Sequence, residues 1–181
     1  KKKSICTSRS FGDMVTDIDS LKEAVAHFAA GSANKLRGQS SLARTVTVFI
    51  YSNRFREDLS QYNHAMTLSF SSPTSDTIEI TALALHILHL IYKPGIMYKK
   101  AGVILSDITE ARPFQLNLFD SISNRKERHQ LMMSIDVINQ TFGLKTIQLA
   151  VEGIGSHQWD IKCEHRSPNF LTDLSQLLTI E

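Results

Sequence analysis

Five consecutive residues, Gln115-Leu116-Asn117-Leu118-Phe119, set three large apolar side chains behind one amide. Arg112-Pro113 precedes them, and Asp120 and the mostly polar residues 121–124 follow. A short linker peptide has little of its own to bury such side chains in. Its chemistry is that of an anchor for a pocket on another protein, with leucine and phenylalanine filling the pocket and glutamine at the rim. A second set of residues is cationic and hydroxylic. Arg9, Arg44, Lys99 and Lys100 fall on or at the ends of segments that read as strands, and Thr45, Thr47, Thr67 and Ser69 share one strand face. Small hydroxyls allow close approach to phosphates and the cations supply charge, without reading bases. Residue types alone favour the plainer reading, that Thr and Ser are ordinary solvent-facing strand residues.

Other chemistry is missing. Phosphoryl transfer needs clustered carboxylates holding metal ions, and no such cluster stands out. Asp13, Asp17 and Asp19 read as a charged helix start. His86 and His89 lie three apart on a helix without a cysteine or carboxylate partner, which favours a surface or packing role over a metal. The Gly153-Ile154-Gly155 stretch lacks the strand-to-helix setting of a nucleotide loop. No catalytic residue and no metal ligand is expected.

At 181 residues the chain can be one domain or two small ones. A hydrophobic share of 42% with 21% charged suits a globular protein, and no apolar run reaches the length of a membrane span. The start, Lys1-Lys2-Lys3-Ser4-Ile5-Cys6, has no Met and no signal-like apolar core, and reads as the cut end of a longer protein. Cys6 and Cys163 read as two reduced thiols, in keeping with a cytoplasmic setting. Charge is uneven: residues 1–108 hold 13 Lys and Arg against 9 Asp and Glu, and residues 109–181 hold 7 against 9, giving +4 and −2. The basic front suggests a polyanionic partner.

The elements that must position these residues follow from periodicity. Residues 5–11 read as a strand ended by Gly12 and Asp13, and residues 19–37 as a helix capped by Asp17 or Asp19 and closed by Gly38. Residues 45–51 alternate, with Val46, Val48 and Ile50 against Thr45, Thr47 and Phe49, and residues 64–71 do the same up to Pro73. A second helix over residues 77–92, capped by Ser75 or Asp76, is apolar almost all round and should be mostly buried. Residues 98–108 form a fourth strand. The order β-α-β-β-α-β implies an α+β fold, a four-stranded sheet with both helices on one face and the other face open. Phe49 is the only clear aromatic on that open face, which argues against an RNA-recognition module. Behind the linker, residues 124–142 read as a helix capped by Gly143, and residues 146–151 and 158–163 as a hairpin. Trp159 reads as a packing anchor. With about 55 residues this rear unit can bury little core alone, so it is expected either to dock on the front or to be partly mobile. The expected units are 1–110, a linker 111–123, and a small tail 124–181.

Several of these pieces together resemble the C-terminal part of bacterial UmuC-type Y-family translesion DNA polymerases. Ser8-Arg9-Ser10-Phe11-Gly12 looks like the opening strand of their little-finger domain. Lys35-Leu36-Arg37, Arg44, Tyr98-Lys99-Lys100-Ala101-Gly102-Val103 and the stretch from Gln115 to Asp120 follow in family order. Arg166-Ser167-Pro168-Asn169-Phe170 is similar to the terminal motif of that branch, although Leu171-Thr172 departs from its usual paired Thr. The resemblance implies a sheet lying along the major groove of damaged primer–template DNA, with Arg9, Ser10, Arg44, Thr45, Lys99 and Lys100 at phosphates. It implies that Gln115, Leu116, Asn117, Leu118 and Phe119 bind the bacterial β sliding clamp, Asn117 being a mild departure from the usual Ser or Asp. It implies no polymerase site in this part of the chain, with magnesium held by the rest of the parent enzyme, a UmuD-type accessory subunit as a further partner, and no membrane. The alternatives from the residues alone are a free-standing split βαβ nucleic-acid-binding module or a protein-interaction adaptor.

Overall fold

The alternation around Val48 dictates a strand with two unlike faces. In this computed structural model, which describes residues 1–111, 122, 124–155, 157–161 and 167, that strand extends beyond the alternating run at both ends. The order is β1 (Ile5–Val15), α1 (Ile18–Gly38), β2 (Ser41–Ser52), β3 (Asn63–Thr74), α2 (Thr77–Ile91), β4 (Tyr98–Glu110) and α3 (Arg125–Phe142), then a 3-10 turn at Ala150–Glu152. The strands lie side by side as β1-β4-β2-β3, every neighbouring pair antiparallel. Hence β1 and β2 run parallel with β4 between them, joined by α1, and β3 and β4 run parallel with β2 between them, joined by α2. Two interleaved split βαβ units give the expected α+β fold.

Register decides which side chains meet. Val46 lies opposite Leu105, Val48 opposite Val103 and Ile50 opposite Ala101. These join Leu21, Val25, Phe28 and Leu36 of α1 and Ile80, Ile87, Leu88 and Ile91 of α2 in one buried core. Each large side chain there contributes roughly 1.5–3 kcal/mol by leaving water. Asp17 caps α1 by accepting from the Ser20 amide at 2.7 Å, and Asp76 caps α2 by accepting from the Ile78 amide at 2.8 Å.

Three expectations need correction. Pro73 does not stop β3, which runs on to Thr74. The ladder slips between Ala43 and Thr45, and a proline is tolerated there because β3 is an edge strand. The second helix is not mostly buried: Leu90 is 55% exposed, and Ile78, His86 and His89 also face outward. The rear hairpin does not form over its described residues. Residues 150–152 turn as a 3-10 helix in which the Glu152 carboxylate accepts from the Leu149 amide at 3.0 Å. Gly153 then takes φ 74°, and a Cβ there would meet His157 Cε1 at 2.7 Å. Close approach to the front domain replaces strand pairing.

The rear unit docks on the helix layer through ions. Arg37 donates to Asp136 through Nε at 2.6 Å and Nη2 at 2.7 Å, and its Nη1 reaches the Ser75 carbonyl at 2.7 Å. Asp76 and Glu79, which suit the N-terminus of α2, attract Arg128 and Arg125 of α3. Further on, Trp159 is 1% exposed, ring to ring with Phe28 at 5.6 Å and stacked by His157 at 4.7 Å. It anchors the tail to α1. No helix among the described residues is long and apolar enough to cross a membrane.

Candidate nucleic-acid interface

The face of the sheet away from the helices is built by every second residue. It carries Cys6, Ser8 and Ser10 from β1, Lys100, Gly102, Ile104 and Ser106 from β4, Thr45, Thr47, Phe49 and Tyr51 from β2, and Ala65, Thr67 and Ser69 from β3. Through this paired stretch no Asp or Glu appears. Its hydroxyls pair with each other, Thr45 with Ser106 at 2.7 Å and Thr47 with Thr67 at 2.7 Å. The face is therefore low in relief and free of negative charge, as a surface for phosphates must be.

Phe49 is not a standing platform. It is 7% exposed and lies flat across β4. Gly102 makes that possible: a Cβ at residue 102 would sit 2.3 Å from Phe49 Cζ and 2.5 Å from Ser8 Cβ. Tyr51 stacks on Phe49 with centroids 4.9 Å apart. Tyr51 is a second open-face ring, absent from the sequence-based expectation. Carrying the β2 alternation two residues past Phe49 is the signal that finds it.

The structure brings some of the expected contact residues together and separates others. Ser10 lies opposite Lys100, which also pairs with Tyr51 across β2, so these share the open face. Lys99 occupies a break in register between β4 and β2 and donates to the Gly12 carbonyl at 3.0 Å. Thr45 sits on the open face and Arg44, beside it, is exposed. Seven residues of β2 separate Arg44 from Tyr51, roughly 23 Å at the rise of a strand, the axial length of about seven base pairs. Arg9 does not join them. It pairs with the core residue Ala101, and its guanidinium lies 5.7 Å from the Trp159 ring and 3.3 Å from Asp160. A period-two reading puts Arg9 on the side opposite Ser8 and Ser10; only the docked tail shows what occupies that side.

Residues 115–119 lie outside the described residues. Among the described residues no three His, Cys, Asp or Glu side chains come together as a metal site, so no metal-dependent step is assigned to them.

Residues 2–118 match the impB/mucB/samB family C-terminal domain, and residues 129–180 match a second family, described as a domain of unknown function (DUF4113). Protein UmuC of Salmonella typhimurium is 36% identical over 180 residues, covering 99% of this chain and 42% of that protein. Protein SamB of the same organism is 37% identical over 171 residues, covering 94% of this chain and 40% of SamB. The chain thus spans well under half the length of these relatives. Among solved structures, the insertion ternary complex of Dbh DNA polymerase aligns over 59% of this chain and 29% of that one, with 13% identity and a TM-score of 0.44, too remote to support more. By its match over residues 2–118, the chain belongs to the impB/mucB/samB family and carries that family's C-terminal domain.

Proposed function

We propose that this chain is the DNA-holding, clamp-tethering region of a Y-family lesion-bypass DNA polymerase. The observation that carries the reading is the open sheet face, flat, hydroxyl-lined and without a carboxylate through its paired stretch, with Lys100 on it towards one end; Arg44 lies exposed beside Thr45 in the strand. Such a face holds duplex phosphates by charge and close approach, and sets position along the DNA instead of sequence choice. The catalytic carboxylates and their magnesium ions would belong to the remaining length that the relatives possess. Residues 115–119 then hold a sliding clamp, with Leu118 and Phe119 in its pocket and Gln115 at the rim, so that one segment grips the duplex and the next grips the ring around it.

One titration series tests both halves. Binding to a primer–template duplex should weaken as salt rises, and Arg44→Ala with Lys100→Ala should lower the log–log salt slope by about 0.9 for each phosphate no longer neutralised. Leu118→Ala with Phe119→Ala should abolish binding to a bacterial sliding clamp and leave duplex affinity intact. An unchanged salt slope would sink the grip, and an unchanged clamp affinity would sink the tether.

A further inference from the structure

The sheet ends in a cleft that shares Ser10, Lys99 and Lys100 with the proposed duplex surface and adds an aromatic wall of its own. It encloses about 450 Å³ between the β2–β3 loop and the start of β4, and Tyr51, Arg54, Phe55, Tyr62, Lys99 and Lys100 are among its walls. Three of its lining residues are cations and none is a carboxylate. Glu57 and Asp58 lie in the same loop but outside the lining, and Asp58 is taken up by an ion pair with Arg56 at 2.6 Å. Phe55 stands at the lip, 82% exposed. Its ring is backed by the Arg54 guanidinium at 5.2 Å.

This exposed phenylalanine is held in place. The Phe55 amide donates to Asn53 Oδ1 at 3.1 Å. The side-chain amide of Gln61 donates to the carbonyls of Asn53, Arg56 and Leu59 at 3.2, 2.8 and 3.2 Å. Ser52 and Tyr62 close the neck of the loop through the Ser52 amide and the Tyr62 carbonyl at 2.8 Å. The Tyr62 hydroxyl donates to the Ile91 carbonyl at 2.6 Å and fixes its own ring. A solvent-exposed aromatic on a stapled loop is a preorganised contact, because little order remains to be imposed when a ligand arrives.

Away from its ends a duplex offers such a ring no partner, since the flat faces of paired bases are already stacked inside it. An unpaired nucleotide offers both a free base face for an aromatic and a phosphate for a cation. We propose that this cleft takes an unpaired nucleotide of a DNA strand, its base stacked on the Phe55 ring that Arg54 backs and its phosphate towards Lys100. Lys100 also pairs with Ser10 and Tyr51 on the open face, so the cleft adjoins the proposed duplex surface. The inference rests on that DNA-binding reading and places the junction between duplex and single strand at this end of the sheet.

The test compares a blunt duplex with the same duplex carrying a single-stranded extension, by anisotropy at one salt concentration. A 2-aminopurine in the first unpaired positions reports stacking directly. The 181-residue chain should bind the extended duplex more tightly and quench the 2-aminopurine. Phe55→Ala should remove about tenfold of that affinity and the quench, leaving blunt-duplex binding unchanged; Phe55→Trp should restore both. No gain from the extension, or an equal weakening on both DNAs with Phe55→Ala, overturns the proposal. If the extension gain depends on Phe55 while Lys100→Ala and Arg44→Ala leave blunt-duplex binding untouched, the cleft stands and the duplex grip falls.

Discussion

The front layer and the docked tail are held by different forces. Between the sheet and its two helices the contacts are apolar and interlocked: Val48 against Val103 in the sheet, with Phe28 and Leu88 in the same buried cluster. Between that layer and α3 the contacts are ionic, Arg37 with Asp136, Arg125 with Glu79 and Arg128 with Asp76, around one buried Met132. Nearer the chain end, Arg9 meets Asp160, Glu152 meets His27 and Glu23 meets His157, all around Trp159. The front fold is thus carried by burial, which acid and salt hardly touch. The seating of α3 is carried by charges whose value depends on their staying paired, while Trp159 ties the far end of the tail into the same buried core.

The largest test of that difference is Arg37→Ala. The Arg37 side chain is 4% exposed and the Asp136 side chain 11%, so truncation leaves a carboxylate nearly buried with only Asn34 at 2.9 Å to bond it. Removing one partner of a buried pair costs about 3–5 kcal/mol. Hydrogen exchange should then accelerate in α3 well before it does in β2 and β4. Leu36→Ala, one residue away and fully buried in the front core, should cost about 2–5 kcal/mol and speed exchange everywhere together. If Arg37→Ala instead raised exchange uniformly, front and tail would be one cooperative unit and the contrast would fail.

How far these arrangements are legible in the sequence depends on whether the cause is local. The β-α-β-β-α-β order and the helix starts at Asp17 and Asp76 are local, written in alternation, helical spacing and capping residues, and the structure keeps them. The turn around Gly153 is not local. Two short apolar runs joined by glycines read as a hairpin, yet Gly153 serves to let Glu23 and His157 close on each other across 134 positions of sequence. Arg9 shows the same limit. A basic residue in a strand next to Ser8 and Ser10 reads as a DNA contact, and nothing nearby in the chain predicts that its partly exposed guanidinium lies beside Trp159 and Asp160. Arg37 resembles a family signature at the end of α1, but its grip on Asp136 across 99 positions is visible only in the fold.

Gly102→Ala sharpens the comparison within the front layer. The new methyl would press on Phe49 and Ser8 at distances no Cβ tolerates. Overpacking of this kind costs about 1–3 kcal/mol, and Phe49 must lift off β4, taking Tyr51 with it. Urea unfolding should show the loss in a single transition, while exchange within α3 relative to the sheet stays as it was. Duplex affinity should fall with it, because the flat face acquires relief. A variant that loses stability and keeps full duplex affinity would show that the flatness of this face does not matter for DNA.

The smallest expected effect is the effect of acid on the tail. Burial by itself would push the Asp136 carboxyl upward, but the hydrogen bonds and charge of Arg37, followed by the Asn34 bond, outweigh it and hold the group below the ordinary carboxylate value. A carboxyl with a depressed folded pKa stabilises the folded state fully above its unfolded value near 4, and that contribution disappears as pH falls through the folded value. Protonation leaves a neutral carboxyl still within reach of Asn34 and Arg37, so the loss should be smaller than that of Arg37→Ala, which orphans a charge. Exchange in α3, followed from neutral pH downward, should therefore rise below about pH 4, ahead of exchange in β2 and β4. In Arg37→Ala the step should move to higher pH, because burial then acts on Asp136 without the guanidinium opposing it. A step that stays at the same pH in that variant would assign the acid response to the other carboxylates of the interface and leave the Arg37–Asp136 pair with no part in it.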